Sequence, residues 1–117
     1  MEILDTRDLQ DRMDEIEMDL ETLEMAEAER EALREELTTL QTLQEEVEGY
    51  SSEDWRYGVQ LIPEEVFTEY CQDLLEDCGE IPRDLPSYIV IDWEETASNL
   101  RIDYTEVDFE GTTYLFR

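Results

Sequence analysis

The C-terminal stretch IDWEETASNLRIDYTEVDFEGTTYLFR, Ile91–Arg117, carries a helix signal followed directly by a hairpin signal. Asp92 stands where an N-cap should, with Glu95 three residues on, the spacing of a capping box. Trp93, Ala97, Leu100 and Tyr104 then recur at intervals of 4, 3 and 4, so one face of a helix from Trp93 to about Arg101 should meet a core. Beyond it, Glu110-Gly111 separates two alternating runs, the pattern of a tight hairpin turn. Pairing across that turn places Val107 and Phe109 on the face of Tyr114, with Glu106 and Asp108 on the other. Glu94, Asp103, Glu106, Asp108 and Glu110 are left pointing outward, and Arg101 is the only cation between Ile91 and Gly111. This reads as displayed negative charge.

Upstream, the grammar is also mixed α and β. RYGVQLI alternates Tyr57, Val59 and Leu61 on one face, which predicts a strand. Pro63 is expected to open a helix, with Glu64 and Glu65 in its first turn, where carboxylates suit the helix dipole. Val66, Phe67, Tyr70, Cys71, Leu74, Leu75 and Cys78 form its apolar stripe, and Gly79 is positioned to stop it. On the opposite side Glu65, Glu69, Asp73 and Glu76 fall within about 80° at 100° per residue, a row of carboxylates. EIPRDLPS reads as a loop and YIVI, Tyr88–Ile91, as a buried strand. Cys71 and Cys78 are about 10.5 Å apart along one helix, too far for a disulfide, which predicts two reduced, largely buried thiols.

The first 48 residues have no Gly, no Pro and no aromatic side chain. Leu9, Met13, Ile16, Leu20 and Leu23 trace one heptad seam; Leu33, Leu37 and Leu40, continued by Leu43 or Val47, trace a second. Between them EMAEAEREA slips the phase, since the first seam would otherwise continue through Glu27, Arg30 and Arg34. The chain either reverses there as a helical hairpin or runs on as one long helix with a stammer; the hairpin is preferred. The fold class expected is α+β. An acidic helical hairpin or coiled coil (residues 1–48) leads through a linker (49–56) to a small mixed α/β domain (57–117) with a C-terminal β-hairpin. A homodimer through the heptad seam is expected, because such a seam rarely stays exposed.

Thirty-five acidic residues face eight basic ones, all arginine, with no histidine, for a net charge of −27. Residues 1–50 carry −14 and the remainder −13, so the charge belongs to the whole molecule and not to a tail. That balance excludes direct binding to nucleic acid or to an anionic membrane and calls for a cationic partner. Adaptation to high salt gives a similar composition, although here Glu outnumbers Asp 23 to 12. Disorder is opposed by the 40% hydrophobic content and the aromatic second half. No run approaches the roughly 20 apolar residues of a membrane span, and the N-terminus lacks the pattern of a secretion signal, so a cytoplasmic location in a host cell is expected. Without histidine, a phosphate-binding glycine loop or a nucleophile elbow, no enzyme, cofactor or dedicated metal site is expected. DYTEVDFEG departs from a calcium loop in spacing and in its internal Val107 and Phe109.

These same residues resemble the C-terminal signature of ArdA-like antirestriction proteins of phages and mobile elements. The similar features are the Asp92-Trp93-Glu94 helix start, Asp103-Tyr104, and the Val107-Asp108-Phe109-Glu110-Gly111 hairpin. GVQLIPEEVFTEYCQDLLEDCGEIP is similar to the strand and helix that precede it in such proteins, so the resemblance covers Tyr57–Arg117. It implies a DNA mimic: carboxylates imitate duplex phosphates and occupy the basic DNA cleft of a host restriction-modification enzyme, typically as an elongated dimer. A heptad-patterned N-terminal half is a departure from that family, and a CRISPR effector is an equally suitable target. The alternative is a non-enzymatic coiled-coil adaptor whose acidity serves only solubility.

Overall fold

The computed structural model describes residues 2–22, 24–51 and 54–117. Strand β1 (Leu4–Asp5) passes directly into helix α1 (Thr6–Leu20), and helix α2 (Glu27–Tyr50) follows. A 3-10 turn (Trp55–Tyr57) leads to strand β2 (Gln60–Pro63), and a second 3-10 turn (Glu64–Val66) to helix α3 (Phe67–Asp77). Helix α4 (Trp93–Arg101) and the hairpin of β3 (Thr105–Phe109) and β4 (Thr112–Phe116) complete the α+β fold. The sheet order is β1-β2-β4-β3, antiparallel throughout.

Helices α1 and α2 form the antiparallel hairpin. The Arg12 guanidinium grips Glu36 across it in a bidentate pair, Nε to Oε1 at 3.1 Å and Nη2 to Oε2 at 2.7 Å. Near the reversal Arg30 donates to the Leu20 carbonyl at 2.8 Å and to that of Thr22, satisfying acceptors where α1 runs out. The phase slip in the sequence is therefore a change of direction, made without glycine or proline. Met13, Ile16 and Leu40 are buried at the seam, and Leu9, Leu20, Leu33 and Leu37 pack half-buried beside them. Leu23 lies outside the described residues. At its centre the seam is closed within one chain, where Met13, Ile16 and Leu40 pack together.

The hairpin does not stand apart from the sheet. Met13, Ile16, Leu40, Leu43 and Val47 share one core with Trp55, Val59, Leu61, Val107, Phe109 and Phe116. Ile62 and Leu115 face the other way, onto Phe67 and Cys71 of α3 and Ala97 of α4. The strand period of two thus supplies both faces of one sheet, giving helix–sheet–helix layers. Thr6 is the one buried polar side chain among the described residues. Its hydroxyl donates to the Trp55 carbonyl at 2.7 Å and accepts from the Val59 amide at 2.7 Å, tying the start of α1 to the segment leading into β2. The N-terminal stretch 1–48 therefore contributes a strand and this clamp as well as its helices.

Three local expectations hold closely. The Asp92 carboxylate accepts from the Glu95 amide at 3.1 Å and caps α4. Glu110 and Gly111 have φ of 50° and 80°, the left-handed pair of a type I′ turn, and register places Val107 opposite Tyr114. Past α3, Gly79 takes φ 75° and donates to the Glu76 carbonyl at 3.2 Å, while Glu80 donates to Leu75 at 3.0 Å, a Schellman closure.

Four expectations are corrected. Tyr57 belongs to the 3-10 turn and is 82% exposed, because Gly58 at φ 100° redirects the chain before β2 begins. Pro63 ends a strand, opposite Tyr114, and α3 begins four residues later, after a 3-10 turn; its missing N–H is tolerated at a strand end. YIVI forms no strand: Tyr88 and Val90 are 84% and 88% exposed and Ile89 is 46% exposed. Of the two free thiols Cys71 is buried but Cys78, at the cap of α3, is exposed.

Candidate functional site

The expected carboxylate row starts in the 3-10 turn, with Glu65, and continues along α3 as Glu69, Asp73 and Glu76. Phe67 and Cys71, on the buried side of the same helix, fix its orientation. Burial pushes the Cys71 thiol upward, which disfavours its thiolate. Glu65, Glu69 and Asp73 are exposed; Glu76 is half-buried and accepts from Gln72 Nε2 at 3.4 Å. Three members of the row are thus open to a partner. Glu2, just before β1, lines a shallow groove together with Ile3, Glu69, Tyr70 and Asp73, and so extends the display. It was not legible locally, since only the pairing of β1 with β2 brings it there.

The C-terminal set divides similarly. Glu94 and Asp103 are exposed. Glu106 is engaged by the Arg101 guanidinium, which also holds Glu64 at 2.9 Å and so joins α4, the second 3-10 turn and β3. Those two carboxylates push the Arg101 guanidinium above its ordinary range. Asp108 accepts from Thr113 Oγ1 at 2.8 Å, which holds its carboxylate beside the turn. With Glu110 it lines a groove shared with Glu46 and the threonines Thr38, Thr39 and Thr42 of α2. Glu46 is a second residue that sequence order alone did not associate with the site.

Five of the eight arginines are ion-paired among the described residues: Arg7, Arg12, Arg34, Arg83 and Arg101. Arg30 caps carbonyls, and Arg117 lies over the Tyr104 ring, 5.2 Å from its centroid. Arg12, Arg30 and Arg101 thus hold joints between elements, whereas the pairs of Arg7, Arg34 and Arg83 are local; the paired carboxylates are Asp5, Glu15, Glu27, Glu36, Glu64, Asp77 and Glu106. The other described carboxylates have no arginine within salt-bridge distance.

A second feature is a pocket of about 300 Å³ lined by Val59, Gln60, Ile62, Tyr70, Tyr104 and Arg117. Burial, with the Tyr70 phenol beside it, pushes the Tyr104 hydroxyl up to about 12. That phenol keeps its proton at neutral pH and is poorly suited to act as a base. Among the described residues no carboxylate is buried and no three His, Cys, Asp or Glu side chains converge on a position for a metal ion. No described helix is long and apolar enough to cross a membrane.

The molecule is a rod, 66 × 25 × 23 Å. Spreading −27 along 66 Å gives one net charge per about 2.4 Å of axis, against about one per 1.7 Å in duplex DNA. At about 3.4 Å per base pair the rod has the length of some 19 base pairs. Comparison with protein families, with curated proteins and with solved structures gave no match to this chain.

Proposed function

We propose that this protein is an acidic DNA mimic that inhibits a DNA-binding defence enzyme of its host, of the restriction-modification or CRISPR type, by occupying the basic DNA cleft. The observation that carries the reading is linear charge density: a rod 66 Å long bears about 70% of the charge per ångström of DNA. The open carboxylates Glu65, Glu69 and Asp73 on one side, and Asp108 and Glu110 on another, stand in for phosphates. The resemblance of Tyr57–Arg117 to ArdA-like proteins supports the same reading. The coiled-coil adaptor needs an open seam, whereas Met13, Ile16 and Leu40 are buried inside the chain.

The test is inhibition of a panel of purified restriction-modification and CRISPR effector complexes, with binding measured across a salt series and against competing duplex DNA. Affinity for the inhibited enzyme should fall steeply with salt, and DNA should displace the protein. The triple reversal Glu65→Lys, Glu69→Lys, Asp73→Lys should lower affinity at least tenfold while leaving the far-ultraviolet circular dichroism unchanged. An inhibited enzyme from which DNA cannot displace the protein would sink the proposal.

A further inference from the structure

Large exposed apolar side chains elsewhere on the described surface stand apart in sequence, as Met18, Tyr50, Tyr57 and Ile102 do. Tyr88, Ile89 and Val90 are consecutive, and all three are exposed. They lie between α3 and α4 in a segment with prolines at Pro82 and Pro86, and a turn bond from the Ile89 amide to the Pro86 carbonyl at 2.9 Å shapes the approach. Their composition is that of a buried strand, yet no strand of the sheet receives them. Exposed carboxylates flank them in sequence: Glu80 and Asp84 before, Asp92, Glu94 and Glu95 after. Arg83, the one cation in this stretch, is paired with Asp77.

An aromatic and two branched aliphatic side chains flanked by charge have the apolar centre and polar surroundings of a protein interface. The sign of that charge selects the occupant. A second copy carrying the same −27 is repelled, and so is nucleic acid; a basic protein surface is attracted. We propose that Tyr88–Val90 is an apolar anchor for a basic protein partner, seated in an apolar pocket beside that partner's Arg/Lys surface. The inference rests on the charge-mimic reading for the partner's basic character, and it adds what charge alone lacks. A dense display of carboxylates fits any DNA cleft, whereas exposed Tyr, Ile and Val side chains are a feature DNA does not have. The anchor therefore supplies partner selectivity and the part of the affinity that survives salt.

The experiment uses the whole protein and two synthetic peptides of equal charge, nine arginines interleaved with three glycines or with three leucines. Binding is measured by calorimetry at low and high salt. The wild-type protein should prefer the leucine peptide by about tenfold or more, a preference that persists at high salt while the arginine contribution fades. Tyr88→Ser with Val90→Ser should reduce the preference below about twofold and leave affinity for the glycine peptide unchanged. Met18→Ser, an exposed apolar change on α1, should leave the preference intact. Both altered proteins should keep the wild-type melting temperature, since the side chains removed are exposed. No leucine preference in the wild type, or one that survives the double substitution, overturns the anchor and leaves the charge reading standing. Failure of both peptides to bind in a salt-dependent way overturns the charge reading and the anchor with it. Sedimentation of the wild type as a dimer that the double substitution dissolves would make the occupant a second copy and overturn the proposal.

Discussion

Thr6→Val is the sharpest test of how the start of α1 is joined to the segment leading into β2. Valine matches threonine in shape but removes the hydroxyl that serves the Trp55 carbonyl and the Val59 amide, both at 2.7 Å. The Trp55 carbonyl retains a long bond from the Gly58 amide at 3.4 Å, whereas the buried Val59 amide has no other acceptor among the described residues. An orphaned buried amide costs about 1–3 kcal/mol, and the lost hydroxyl bond adds about 1 kcal/mol, for roughly 2–4 kcal/mol in all. Unfolding entropy of about 2.1 cal/mol/K per residue converts 1 kcal/mol into about 4 °C for a chain of 117 residues. The variant should therefore melt about 8–16 °C below wild type by circular dichroism at fixed ionic strength. Thr6→Ser keeps both bonds and loses one methyl group, so it should fall by only about 4 °C. A Thr6→Val protein within about 4 °C of wild type, or a serine variant less stable than the valine one, would refute the reasoning.

Other perturbations test separate joints. Hydrogen bonding to Arg12 holds the Glu36 carboxylate below its ordinary value of 4.5, against an opposing push from burial. Its stabilisation is thus fully present above that pH and is lost as pH falls through the lowered value. Relief of the general repulsion works in the opposite direction, so the difference between wild type and Glu36→Gln isolates the pair. That difference should be at most about 1 kcal/mol at neutral pH, since the pair is partly exposed, and should vanish in acid; equal urea midpoints across the titration would count against it. Asp92→Ala removes the side-chain cap of α4 and should cost about 1 kcal/mol, read as a drop of about 4 °C. Gly58→Ala places a Cβ 2.8 Å from Arg7 Nε at φ +100°, whereas Gly79→Ala at φ +75° meets nothing within 4 Å. The first should cost about 2–3 kcal/mol and the second about 1 kcal/mol, and a reversed order in urea denaturation would contradict the strain argument.

What was legible in the sequence is what neighbours decide. The Asp92 cap, the Gly79 closure and the Glu110-Gly111 turn each depend on backbone conformation within a few residues, and each was readable. Partner-dependent features were not. Tyr88–Ile91 has strand composition, but composition is only a preference for a pleated, half-buried surface, and no such surface is offered to it. Tyr57 shares its period of two with Val59 and Leu61, yet Gly58 turns the chain between them. Glu2 joined Glu69 and Asp73 only through a pairing that spans more than fifty residues. Thr6 carried no signal at all, because its partners lie 49 and 53 residues away. For the charge display, then, the row on α3 could be read from periodicity, but which of its members stay free required the folded contacts.

The placement of the arginines links the fold to the proposed role. A chain with −27 repels itself, and eight cations scattered on its surface would relieve little of that in screened solution. Here Arg12 spans α1 and α2, Arg30 satisfies the exposed carbonyls near the helical reversal, and Arg101 bridges the turn before α3 to β3. Each sits where two elements meet and ties them together, Arg12 and Arg101 through carboxylates and Arg30 through carbonyls. A protein whose acidity served only solubility could carry its cations anywhere. Three of the eight arginines instead tie elements together at joints, and the charge that remains is displayed along 66 Å, which is what a basic cleft built for DNA would require of a protein substitute.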